Sequence, residues 1–211
     1  MNQLHSTSHV RRLVAAFGIA ALLAVAAPAR AQVSPDFDTV TWAPLGCPAA
    51  DLTSDASPGS TNFVGNASFP AAYYAFDSSY LYFRYRMDRN PANGGGFDQF
   101  AWTALMQTGT GDPFQYQYQL SLEGGSDTIE IWANTSAQDI DFSPLFHDDA
   151  EVKLFSQPFG SLARALATGD GSNFGNDADY FIDFAFPVTE LVANGVVANA
   201  ATMLASTMPM T

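Results

Sequence analysis

Cysteine is almost absent from this sequence. Cys47 is the only one in 211 residues, so no disulfide can form within the chain. Leu45-Gly46-Cys47 has a faint likeness to a lipoprotein cleavage box, but it lies far beyond the apolar run and Pro44 stands where leucine is expected. A small structural thiol is the simpler reading. Basic residues are scarce too. Of eight Lys and Arg, three (Arg11, Arg12, Arg30) lie in the first 31 residues, while all 21 acids follow them. Five bases against 21 acids leave −16 beyond residue 31. Such a surface disfavours nucleic acid and anionic membranes and suits an extracellular protein or a binder of cations. Histidine is reduced to His147 beyond the same point. There is no GxSxG elbow, no P-loop, no dinucleotide fingerprint and no CxxCH haem-attachment sequence.

Only one long apolar run is present, Leu13 to Ala27, preceded by Arg11-Arg12 and followed by Ala29-Arg30-Ala31. It is short of the ~20 residues that span a bilayer. Charge, apolar run and small-x-small site together predict a secretory signal peptide over residues 1–31, cleaved before Gln32, with no membrane insertion afterwards. Its alanine richness points to a bacterial chain, secreted or periplasmic.

What is abundant is aromatic: 17 Phe and 8 Tyr, which favours strands. Tyr80 to Met87 sets Leu81, Phe83, Tyr85 and Met87 against Tyr80, Tyr82, Arg84 and Arg86, a half-buried strand at a period of two. Ala71 to Phe76 pairs with it around Asp77-Ser78-Ser79. Pro91 and the glycines of DRNPANGGG predict no pairing there, and Asp98 to Gln107 resumes as a strand. Gln115 to Leu122 and Thr128 to Ala133 form a hairpin, with a two-residue turn at Gly124-Gly125 that pairs Leu120 with Ile129 and Gln119 with Glu130. Glu151 to Phe155 is a short strand. Ser161 to Ala167 is either strand or helix. Tyr180 to Phe186 is an aromatic strand, closed by Pro187 and a short helix capped by Thr189 and stopped at Asn194-Gly195. Residues 32–70 read as a lead-in with an edge strand at Asp38 to Trp42, and residues 71–211 as the body. With no βαβ alternation, the class is all-β: an antiparallel, jelly-roll-like β-sandwich with a short helix near the C-terminus.

Three sets of residues carry candidate chemistry. Trp132 with Gln117, Gln119 and Glu130 offers a flat ring for the CH face of a sugar, and amides and a carboxylate for its hydroxyls. The alternative is an ordinary packed or solvated sheet face. Asp170, Asn173, Asn176, Asp177 and Asp179 share one glycine-bearing loop whose hard oxygens suit calcium, without EF-hand spacing. Gly109 to Asp112, and Asp51 with Asp55, are weaker cation candidates beside the reading of solvated loops. Asp148, Asp149 and Glu151 near His147 are better read as solvated acids than as a hydrolytic pair.

The run A-x-Y-x-A-F-D-x-x-Y-L-Y-F-R-x-R-M-D, Ala71 to Asp88, resembles the hairpin of DOMON-like sandwiches, among them the family-nine carbohydrate-binding modules. The resemblance extends from Tyr73 to Phe186 at the level of pattern. It implies a β-sandwich with a sugar or a haem as ligand. The sugar-binding relatives clamp a sugar between two tryptophans and carry structural calcium. Here Trp132 is the candidate, whereas the pattern does not turn Trp42 or Trp102 outward. A haem would need Met87 with His147 or Lys153, and Met87 falls on the core face, where methionine commonly fills gaps. The sequence therefore leads to a non-catalytic module for polysaccharide or cell-surface glycan. The alternatives are a structural or adhesive module without a small-molecule ligand and, behind it, a haem domain.

Overall fold

The computed structural model describes residues 33–45, 51, 56–106, 117–134 and 151–197. The chain divides into two units, Met1–Gln32 and Val33–Thr211, and every described residue belongs to the second. The expected signal peptide, Cys47, Asp55, Gly109 to Asp112 and His147 to Asp149 lie outside the described residues.

The fold is all-β and antiparallel, with one short helix. Among the described residues the strands are β1 (Ala43–Pro44), β2 (Ala72–Phe76), β3 (Tyr80–Met87), β4 (Ala92–Asn93), β5 (Gly96–Phe97), β6 (Ala101–Met106), β7 (Tyr118–Glu123), β8 (Thr128–Asn134), β9 (Glu151–Pro158), β10 (Ala163–Ala167) and β11 (Tyr180–Pro187). The helix α1 is Val188–Ala193. One sheet runs β1-β2-β3-β11-β10, and a second is the meander β6-β7-β8-β9. Leu81, Phe83, Tyr85 and Met87 of β3 and Ile182, Phe184 and Phe186 of β11 share one core with Trp102, Leu120, Leu122, Ile129 and Ile131. Tyr85 ties the sheets together by donating its hydroxyl to the Thr103 carbonyl at 2.9 Å.

Asp77 makes the β2–β3 turn. Its Oδ1 accepts the amides of Ser79 and Tyr80, and its Oδ2 accepts the Tyr82 hydroxyl at 2.6 Å. Strand β3 itself is not half-buried as its alternation predicts; its second face is covered as well. Tyr82 and Arg86 are 0% and 1% exposed. The lead-in explains Tyr82 and Arg84. Phe37 meets Tyr82 edge-on at 5.5 Å, and the Arg84 guanidinium lies between the rings of Trp42 and Phe181, 4.2 and 4.4 Å from their centroids. Arg84 also pairs in bidentate fashion with buried Asp183, which takes a third bond from Arg164; Arg164 reaches back to Asp38. Two arginines are thus balanced by two aspartates, which is what a buried charge requires.

Several local expectations are corrected. The edge strand lies at Ala43–Pro44 rather than Asp38 to Trp42, because the Asp36 carboxylate and carbonyl accept from Asp38 and Thr39 and fold that stretch into a turn. The DRNPANGGG loop does pair: Gly94 and Gly95 have φ of +59° and +97°, which closes β4 and β5 as a tight hairpin. Strand β6 starts at Ala101, after a turn in which the Phe100 amide bonds the Asp98 carbonyl. Strand β9 extends to Pro158. Gly160–Leu162 is a short 3₁₀ turn, and Ala163–Ala167 beyond it is strand. Helix α1 stops at Asn194-Gly195 as expected, but Pro187 occupies the cap position and Thr189 lies inside the first turn.

The β7–β8 hairpin keeps its expected faces with a different register. Leu120 pairs with Ile131, Gln119 with Trp132 and Ser121 with Glu130. The turn is four residues long, Gly124 to Asp127, and Asp127 adopts φ +56°. Gly124 fixes its start: a Cβ there would stand 1.9 Å from the Asp98 carbonyl oxygen. A two-residue slip preserves parity, so alternation alone could not separate the two registers.

Candidate functional site

Two groups of side chains carry chemistry. The first lies on the face of β7, β8 and β9 turned away from the core. Glu130 is its centre, with a side chain only 4% exposed. Its Oε1 accepts Thr128 Oγ1 at 2.9 Å, Lys153 Nζ at 2.7 Å and Ser156 Oγ at 3.1 Å, and its Oε2 accepts Trp132 Nε1 at 2.9 Å. Burial alone would raise this carboxyl, but bonds from Lys153, Thr128 and Ser156, with the lysine's charge, outweigh it and hold the group below its ordinary value. A bulge in β9 makes the arrangement possible. Ile131 pairs with Phe155 and Trp132 with Lys153, so Leu154 drops out of register, and Lys153 and Ser156 both reach Glu130.

The structure thus brings Trp132, Glu130 and Gln119 together. Gln119 stands opposite Trp132 and donates to Ser121 Oγ at 3.0 Å, which in turn meets Thr103 Oγ1 at 3.1 Å. Gln117 lies one residue before β7 and is half-buried. The indole of Trp132 is half-buried as well, with the Lys153 ammonium 4.7 Å from its ring centroid. Glu130, Gln119 and Ser121 are all buried, so this face is a closed polar network around a partly open tryptophan.

The second group lies where β3 and β11 leave their sheet. Their last paired residues are Met87 and Tyr180, so Asp88 and Asp179 sit at the same end of the ladder. Both are buried. Asp179 Oδ1 accepts the Phe174 amide at 3.0 Å, while Asp179 Oδ2 and Asp88 Oδ1 are buried with no hydrogen-bond partner among the described residues. Asp177 is in the same position: its Oδ2 takes the Arg89 guanidinium at 3.1 Å, and its buried Oδ1 has no partner among the described residues. Burial and then the charge of Asp177 push the Asp88 carboxyl up; Arg89 opposes them, and Asp179 adds to the rise.

The five loop residues named from the sequence therefore separate. Asp177 and Asp179 lie near enough to Asp88 for their charges to act on it. Asn173 and Asn176 are exposed. Asp170 serves buried Arg86, which reaches its two oxygens at 2.8 and 3.3 Å and also bonds Ser172 Oγ. Burial would raise Asp170 too, but Arg86 and Ser172 hold it well below the usual carboxylate range. Asp88 was not among the candidates. Its signal was its place as the last residue of the run ending Arg86-Met87-Asp88, just past a strand end.

Among the described residues, no trio of His, Cys, Asp or Glu side chains is gathered at metal-ligand spacing. Comparison with protein-family models, curated proteins and solved structures finds no match to this chain.

Proposed function

We propose that the protein is an exported, non-catalytic module that binds carbohydrate, polysaccharide or cell-surface glycan, on the outer face of its four-stranded sheet. The observation that carries this reading is the anchoring of Trp132. Its indole N–H is spent on a buried carboxylate, so the ring is oriented before any ligand arrives, and a stacking platform gains affinity from such pre-organisation. The roles of its neighbours follow from counting bonds. A carboxylate offers about four acceptor sites, and four donors already reach Glu130. Glu130 and buried Gln119 are therefore supports, and ligand hydroxyls fall to the Lys153 ammonium beside the Trp132 ring.

The same saturation favours a second reading, a structural or adhesive surface module with no small-molecule ligand, since the network is complete without one. Affinity electrophoresis of the full chain through gels of different polysaccharides separates the two. Retardation by at least one polysaccharide supports the carbohydrate module, and free migration through all of them favours the adhesive one.

A further inference from the structure

We propose that Asp88, Asp177 and Asp179 bind a divalent cation, calcium by its chemistry, where β3 and β11 leave the sheet. Carboxylates in a loop do not make a site by themselves; here the argument is burial without partners. Asp88 is 8% exposed and Asp179 1%, and each holds an oxygen that no donor reaches among the described residues. An unpaired buried carboxylate oxygen is costly. Three of them, on Asp88, Asp177 and Asp179, lie within a few residues of one strand end. Among the described residues, the only basic side chain bonded to any of the three is Arg89, and it takes Oδ2 of Asp177.

The absence of a side chain on Gly175 lets two of these carboxylates come close against the backbone. The position a Cβ would take on Gly175 is 2.7 Å from Asp88 Oδ1 and 3.4 Å from Asp177 Oδ1, so the two unpartnered oxygens flank one point beside a residue with no side chain. On the other side of Asp88, a Cβ on Gly59 would stand 2.8 Å from its Oδ2. Ser60, next in the chain, adds a buried hydroxyl that likewise lacks a partner among the described residues. All these donors are hard oxygens, with no nitrogen or sulfur among them. That set selects calcium or magnesium over zinc or copper, and irregular loop positions suit the looser coordination of calcium. The three carboxylates would complete the site by rotating their side chains inward. A cation there would pin the 169–179 loop to the end of β3 and to the turn at Gly59. Neither Trp132 nor Glu130 takes part, so the site stands apart from the carbohydrate reading.

The test is calorimetric titration of calcium chloride into the chelator-stripped full chain, as wild type, D88N, D177N and D170N, with each fold checked by circular dichroism. One ion per chain is expected. D88N and D177N should each weaken it at least about tenfold, because ligand charge sets calcium affinity, while D170N, whose carboxylate serves Arg86, should stay within about twofold. Should D88N fail to fold, D177N carries the comparison from its partly exposed loop position. No saturable uptake by the wild type up to about 10 mM, ten times the weakest extracellular sites, would overturn the proposal. So would unchanged affinity in D177N, or a loss in D170N equal to that in D177N.

Discussion

Asp88 follows Met87 and Asp179 precedes Tyr180, the pair that ends the β3–β11 ladder, so two buried carboxylates sit at the same end of it. Like charges brought together at a strand pair destabilise it, by up to about 1 kcal/mol. The stability of D88N should therefore change sign with calcium. In chelator, removing one charge should raise the melting temperature by about 2–4 °C, the shift that ~1 kcal/mol produces in a chain of this size. In millimolar calcium the order should reverse, because only the wild type gains from the ion. Paired thermal melts check this; the same order in both conditions would contradict it.

Asp183 anchors the closure of the outer face of β3. It is fully buried and bonded to Arg84 and Arg164. Asp183→Asn leaves the half-buried Arg84 guanidinium without its carboxylate partner and should cost about 3–5 kcal/mol in urea denaturation. Asp38→Asn, at the exposed end of the same cluster, should cost far less.

Glu130 gives a pH signature. Its carboxyl is held below the ordinary value in the folded protein, so its contribution is present above the unfolded value of about 4.3 and is lost as pH falls through the folded one. Glu130→Gln should destabilise by about 1.5–3 kcal/mol near neutrality, the range for hydrogen bonds to a charged group. The gap to wild type should shrink steadily below pH 4.5. Urea midpoints from pH 7 to pH 3 measure it, and a gap independent of pH would show that the carboxylate's charge contributes nothing.

The register of β7 and β8 depends on Gly124, whose Cβ would collide with the Asp98 carbonyl. Gly124→Ala should cost at least about 1–3 kcal/mol, as overpacking does, whereas Gly125→Ala, where a Cβ meets nothing within 4 Å, should be mild. Equal effects would place the turn differently.

These positions also mark what was legible in the sequence. Alternation along β3, β7, β8 and β11 gave the strands, their faces and the all-β sandwich, because a period of two is local information. The burial of Tyr82 and the packing of Arg84 were not legible, since they come from Phe37 and Trp42, some forty residues away in the chain. The hairpin register escaped because both registers preserve parity and only the Gly124 contact with Asp98 separates them. The carboxylate cluster was half legible. Asp177 and Asp179 stood out in an acidic loop, but Asp88 joins them only through the pairing of β3 with β11. The bulge at Leu154, which sends Lys153 and Ser156 to Glu130, left no mark in a simple alternation of apolar and polar residues.

The most direct measurement of the proposed function is calorimetric titration of whichever polysaccharide retards the wild type into wild type, Trp132→Phe and Trp132→Ala. Stacking on an aromatic face is worth about 0.5–1.5 kcal/mol beyond buried area. Trp132→Ala should therefore lose about tenfold or more in affinity while keeping a native circular dichroism spectrum, and Trp132→Phe should lie between the two. A folded Trp132→Ala that binds as tightly as the wild type would contradict the account.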